Sequence, residues 1–291
     1  MKKIALFFTF ILFTLIGFAQ GIVKEKQVIK SQVLNKDVHF SIYLPEDYYK
    51  SERAYPVTYL LHGYGDADDG WIQFGEVNRL ADEAIASGKI PPMIIVTPDG
   101  FQSFYINSAD GKMKYEDFFV KELIPHIEKN FKVKAERRFR AIAGLSMGGY
   151  GSLILSLKHP DLFVASAPLS AAVWSDNDIM NLDKGMYNRL YGKSMGDSLV
   201  GKDRLTEHYL ENSPFNHIQK KSKEELSKVR YWIDCGDDDF LTIGNSLLHI
   251  ELVKKNVPHE FRMREGGHTW TYWRTGIIDA LSFIGDSFHQ K

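Results

Sequence analysis

One serine stands out in this chain. Gly144-Leu145-Ser146-Met147-Gly148-Gly149 follows an apolar, strand-like run, RFRAIA, and leads into a helical one, GYGSLILSLKHP. A serine on a sharp strand-to-helix turn needs small neighbours, because a Cβ at the flanking positions would collide in the strained backbone; Gly144 and Gly148 meet that need around Ser146. Such a turn exposes the hydroxyl. The helix that starts there supplies amide donors and the positive end of a dipole where negative charge would develop. The chemistry this permits is nucleophilic attack on an acyl carbonyl.

A serine hydroxyl is inert near neutral pH unless a base takes its proton, so a histidine has to come within hydrogen-bond reach. In the order serine, acid, histidine that goes with such a turn, only His249, His259, His268 and His289 of the ten histidines follow the candidate acids. His249 falls within a helical pattern, His259 opens a strand-like run and His289 sits in the tail. His268 lies in EGGHTWTYW, just after the last strand-like run, where Gly266 and Gly267 let the backbone turn, and it is the expected base. The orienting acid should close the preceding strand, VRYWIDCG, after which come Asp237, Asp238 and Asp239. All three qualify chemically, but three adjacent acids cannot all point at one imidazole. Asp239 is preferred because Phe240 and Leu241 would pin its loop; Asp234 falls too early, inside the strand.

Acyl transfer also needs backbone donors for the tetrahedral oxyanion. One comes from the residue after the serine and one from the loop after the third strand. LLHGYGD, at 60–66, follows the strand-like PVTY and carries the glycines a close backbone approach requires. The N–H groups of Tyr64 and Met147 are the expected pair, with His62 a neutral side chain hydrogen-bonded beneath the loop.

These residues have to be positioned by an alternation of strands and helices. Two β-like runs, 23–34 and 37–44, suggest an antiparallel N-terminal edge. Short apolar runs follow: PVTYLLHG, PMIIVTPDG, RFRAIAGL, FVASAPLS, VRYWIDCG and HEFRMREG. Helical patterns lie between and after them at 77–86, 115–131, 149–158, 245–255 and 275–288, with a kink predicted at Pro125. The implied fold class is α/β, in the α/β-hydrolase arrangement: a mostly parallel central sheet with helices on both faces. Residues 172–223 break the rhythm. They are polar, with scattered aromatics, and read as an irregular insertion that is either a lid or a surface excursion.

Composition bounds the rest. With 291 residues, 44% hydrophobic and 25% charged, and no repeat or linker, the chain fits one catalytic domain over 20–291. The net charge of −1 argues against nucleic acid or anionic lipid as a partner and leaves a small-molecule or oligosaccharide ester. Lys2 and Lys3, an apolar run over 4–16, and small residues Gly17 and Ala19 read as a signal peptide over 1–19, cleaved before Gln20. The mature protein is then exported to the periplasm or medium, with no stable membrane insertion. Cys235 is the single cysteine, so stability rests on the core rather than a disulfide. No HExxH pair or zinc-type Cys/His spacing occurs, and neither metal nor cofactor is expected.

HGYGD with Trp71 beyond it, YEDFFVKELIPHIE, GLSMGGYG, DCGDDDFL and GGHTWTYWR together resemble the esterase D-like, or putative esterase, family. The resemblance runs from about residue 40 to 283. That family includes acetyl xylan esterases, feruloyl esterases, tributyrin esterase and S-formylglutathione hydrolase. The resemblance implies that Asp239 is the triad acid and that Tyr64 and Met147 donate the oxyanion amides. Export disfavours the cytosolic thioester hydrolase and leaves acetyl or feruloyl esters of polysaccharide. Short-chain or siderophore esters, an acyltransferase on the same triad, and a non-catalytic binding protein are the other readings. Tyr64, Trp71, Phe101, Phe104, Tyr105, Trp174 and Trp270 fall on or near the catalytic-side loops, and Trp71 and Trp270 are expected to touch substrate.

Overall fold

The computed structural model describes residues 20–289, so the signal segment read at 1–19 lies outside the described residues. Eight strands form one sheet in the order β1-β2-β4-β3-β5-β6-β7-β8. They are β1 Ile22–Ser31, β2 Lys36–Leu44, β3 Val57–Leu61, β4 Ile94–Pro98, β5 Arg140–Leu145, β6 Ala165–Leu169, β7 Arg230–Gly236 and β8 His259–Arg264. β1 pairs with β2 and β2 with β4 in antiparallel fashion, and every neighbour from β4 to β8 is parallel. This is the α/β-hydrolase architecture with its antiparallel N-terminal edge.

Burial follows from that topology. Every residue of β3, β4, β5 and β6 is buried, as parallel strands covered on both faces should be. Successive side chains point to opposite faces, so Leu60 and Leu61 enter two separate cores. One core is capped by the helix Met147–Lys158 and the other by the helix Trp270–His289. The register sets Leu61 opposite Gly144 and Gly236 opposite Arg264. The loops that leave β3, β5, β7 and β8 therefore open along one edge of the sheet, the place where ligands bind in open α/β folds.

At Pro125, where a kink is expected, the helix carries a π-helical turn, Phe119–Leu123, in which the Ile124 N–H reaches back to the Phe119 carbonyl. That change of ladder register accommodates a residue with no N–H to donate. The insertion is not irregular, which corrects that reading. It is built of short helices, among them Asp176–Asn181, Lys184–Leu190, Glu207–Glu211 and Pro214–Lys220, whose N-termini are capped by the side chains of Ser175, Asp183, Thr206 and Ser213. Tyr187, Tyr191, Tyr209 and Ile218 bury it against the main core. Arg204, 1% exposed, ties it together by donating to the carbonyls of Ile179, Leu182 and Leu199 at 2.6–3.0 Å. Among the described residues, no helix is long and apolar enough to cross a membrane.

Candidate active site

Ser146 follows β5 directly, with φ 53° and ψ −115°, a backbone state costly for any residue bearing a Cβ. Its surroundings hold it there: the Ser146 N–H donates to Leu169 O at 2.9 Å, and its carbonyl accepts from Tyr150 and Ala172 at 2.9 and 3.0 Å. A Cβ on Gly144 would lie 2.5 Å from the Gly148 carbonyl oxygen, and one on Gly148 would lie 2.4 Å from that of Leu61. The turn therefore admits no larger residue at either place.

His268 reaches this serine from the loop after β8. Its Nε2 lies 2.9 Å from Ser146 Oγ, and its Nδ1 lies 2.8 Å from Asp239 Oδ2. A carboxylate only accepts, so Nδ1 carries the proton and Nε2 is free to accept from the serine hydroxyl. Burial of Asp239 works against its charge. The His268 N–H, the Leu241 amide at 2.9 Å and the Ser170 hydroxyl outweigh burial and hold the carboxyl below its ordinary range. The edge of Trp273 meets the imidazole ring at 4.8 Å, and Phe240 packs on it at 4.6 Å.

The three adjacent aspartates separate by geometry. Asp237 accepts from the Gly266 N–H at 2.9 Å, while the Asp238 N–H donates to Gly266 O at 3.1 Å. Both fasten the loop after β7 to the loop that carries His268. Only Asp239 faces the imidazole. Arg264 reinforces the same junction by gripping buried Asp234 with two bonds of 3.1 Å, and Tyr272 donates to that carboxylate at 2.6 Å.

The loop after β3 approaches Ser146 through Gly63, where a Cβ would lie 3.7 Å from that of the serine. His62 is buried beneath it with both ring nitrogens engaged: Nδ1 donates to Gly63 O at 2.8 Å and Nε2 accepts from the Gly100 N–H at 2.8 Å. In a trans peptide the C=O and N–H point opposite ways, so fixing the Gly63 carbonyl on His62 turns the Tyr64 N–H away from it. Met147 opens the next helix, and its amide is a first-turn donor that no helix carbonyl reaches. The Tyr64 side chain leaves in another direction, its hydroxyl donating to Arg189 O of the insertion at 2.7 Å.

The aromatic residues divide. Trp71 is fully buried, with its Nε1–H on Leu61 O at 2.9 Å, and Phe104 and Tyr105 are 2% and 0% exposed. An indole with no exposed surface packs rather than binds, so Trp71 is corrected from substrate contact to core. Trp270 is half-buried against Trp71, Phe74 and Trp273. Trp174 stands 6.5 Å from Phe240, which is 64% exposed over His268. Sequence reasoning missed Ser170 and Trp273, joined by a 3.0 Å Nε1–H bond to Ser170 Oγ behind Asp239. No local pattern marks them.

A mostly parallel sheet with a serine at a strand-to-helix turn defines an α/β hydrolase. Within that class the chain belongs to the putative esterase family, which it matches over residues 31–284. It is 37% identical over 146 residues to an endo-1,4-beta-xylanase/feruloyl esterase of Xylanibacter ruminicola, covering 48% of this chain and 20% of that protein. It is 28% identical over 234 residues to an acetyl esterase of Caldicellulosiruptor saccharolyticus, covering 78% of this chain and 82% of that one. The fold superimposes on a ferulic acid esterase with TM-score 0.79 and 32% identity, covering 92% of this chain and 99% of that one. The chain spans a fifth to about half the length of the first curated relatives it matches.

Proposed function

We propose that this chain is an exported serine esterase that removes acetyl or feruloyl groups from plant polysaccharide or oligosaccharide. The observation that carries the reading is the placement of His268 between Ser146 Oγ, at 2.9 Å, and Asp239, at 2.8 Å. In the proposed reaction Ser146 attacks the ester carbonyl while His268 takes its proton. The Tyr64 and Met147 amides hold the oxyanion. The protonated imidazole, its orientation kept by Asp239, returns the proton to the departing alcohol, and water then releases the acyl-enzyme by the same steps in reverse. The names of the relatives support an ester substrate, and the leader-like segment at 1–19 supports export. Trp174 and Phe240 would offer an apolar flank to the acyl group, with Trp270 bordering the site on the His268 side.

A fluorophosphonate should label wild type at Ser146, and Ser146→Ala should abolish hydrolysis of p-nitrophenyl acetate while the melting temperature stays nearly constant. Retained turnover in that variant would remove the assignment. A panel of acetylated xylo-oligosaccharide, methyl ferulate, tributyrin and a triscatecholate ester tests the substrate class. Hydrolysis of the simple esters alone would count against a polysaccharide ester.

A further inference from the structure

A cavity lies across the loop after β3 from the nucleophile. It is a cleft of about 530 Å³ whose walls are the continuation of the oxyanion loop, the loop after β4, residues 108–113, and Lys193 and Ser194 of the insertion. Gly63 stands between cleft and serine: a Cβ there would lie 3.7 Å from the Ser146 Cβ and 3.3 Å from Oδ2 of Asp66. We propose that this cleft seats the saccharide portion of the ester, with Asp66, Asp99, Gln102 and Lys193 as its hydrogen-bonding groups. The proposal rests on the esterase reading and adds a location and a set of residues to it.

The lining explains the choice of occupant. Oδ1 of Asp99 accepts from the Phe101 N–H at 2.7 Å, and Oδ2 has no protein donor among the described residues. Burial raises the half-buried Asp66 carboxyl above its ordinary range, in spite of His62 and the Gly63 amide. Lys193 donates to Gln102 Oε1 at 3.2 Å and has no carboxylate partner among the described residues. Carboxylates with acceptor capacity left over, beside an ammonium with further protons to donate and an amide, suit a ligand whose hydroxyls both donate and accept. An apolar acyl chain would have to desolvate these charges uncompensated. Of the three carboxylates and two ammonium groups in the lining, Asp110 and Lys112 pair with each other at 3.1 Å, so an anionic sugar would meet Asp66 and Asp99 with Lys193 alone to balance them. A neutral oligosaccharide meets neither penalty, and the cleft volume falls within the range of small-ligand sites.

The insertion completes this seat as well as covering it. The Ala109 N–H donates to Ser194 O at 2.9 Å, and Tyr64, from the oxyanion loop, donates to Arg189 O.

The test compares wild type with Asp99→Asn, Gln102→Ala and Lys193→Ala on acetylated xylotriose and on p-nitrophenyl acetate. In each variant the ratio of kcat/KM for the saccharide ester to that for p-nitrophenyl acetate should fall about tenfold, chiefly through KM. Unacetylated xylotriose should inhibit wild type competitively, and the variants about tenfold more weakly. An unchanged ratio, or equal inhibition of wild type and of variants with wild-type melting temperatures, would overturn the cleft assignment. Failure of wild type itself on p-nitrophenyl acetate would remove the esterase reading instead.

Discussion

His268 Nε2 lies 2.9 Å from Ser146 Oγ although 122 residues separate the two along the chain. The span is closed by the sheet: β5 delivers the serine, β8 delivers the histidine, and β6 and β7 lie between them. Asp237, Asp238 and Arg264 then lock the two loops beside His268 into one unit. The spacing of the reacting atoms is therefore a property of strand order and loop fastening, and it can be probed at each.

The aspartate trio makes the sharpest contrast. Asp239→Asn should lower kcat on p-nitrophenyl acetate by about ten-thousand-fold, because an amide in place of the carboxylate favours the wrong imidazole tautomer. Asp238→Asn should leave kcat within about twofold, since only the backbone of residue 238 is engaged in the loop fastening. Asp237→Asn removes the charged acceptor of the Gly266 N–H and should cost about 1 kcal/mol in urea unfolding. Equal losses of kcat in all three variants would contradict the geometry.

The carboxyl of Asp239 is held below its ordinary range in the folded protein. A depressed folded value means that its contribution to stability is complete above the unfolded pKa and is lost as pH falls through the folded one. The difference in urea midpoint between wild type and Asp239→Asn should therefore be constant above about pH 5 and shrink as pH falls through the unfolded value and then the depressed folded one. A difference that stays constant throughout that fall would mean that the carboxylate is not specially stabilised.

Gly148→Ala should be poorly tolerated. The added methyl would meet the backbone oxygens of Leu61 and His62 at 2.4 and 2.6 Å, and backbone at the end of a buried strand cannot move aside. A loss of about 3 kcal/mol or more is expected, with loss of ester hydrolysis, since the same strand end carries the loop whose Tyr64 amide is the proposed oxyanion donor. A thermal melt matching wild type would show that the turn is slacker than its contacts indicate.

Phe240→Ala tests the apolar flank. The ring is 64% exposed and should contribute little to folding, with a stability change of about 0.5 kcal/mol or less. Its contact with His268 and its approach to Trp174 make it a surface for an aryl group, so kcat/KM for methyl ferulate should fall by the equivalent of about 0.5–1.5 kcal/mol. Equal effects on methyl ferulate and methyl acetate would argue that Phe240 merely steadies the imidazole.

Much of the molecule can be read from local pattern. The short, largely apolar runs of β3 to β6 announce buried parallel strands, and Gly144 and Gly148 around Ser146 announce a turn that excludes Cβ atoms, because both signals arise within a few residues of chain. The insertion was legible in part. Ser175 followed by Asp178, and Ser222 followed by Glu225, form capping boxes that mark helix starts, but the helices they begin are too short for a clear apolar period. Other features had no local signature at all. Trp71 follows the loop after β3 in sequence, yet it is buried in the core, held by its bond to Leu61 O and by the packing of Trp270 upon it. The division of labour among Asp237, Asp238 and Asp239 depends on β8 pairing with β7, and the link from Ser170 to Trp273 joins residues 103 positions apart. Identity and spacing specify what a segment prefers; which of several equivalent side chains meets a distant partner is decided when the sheet assembles and one arrangement satisfies the buried polar groups.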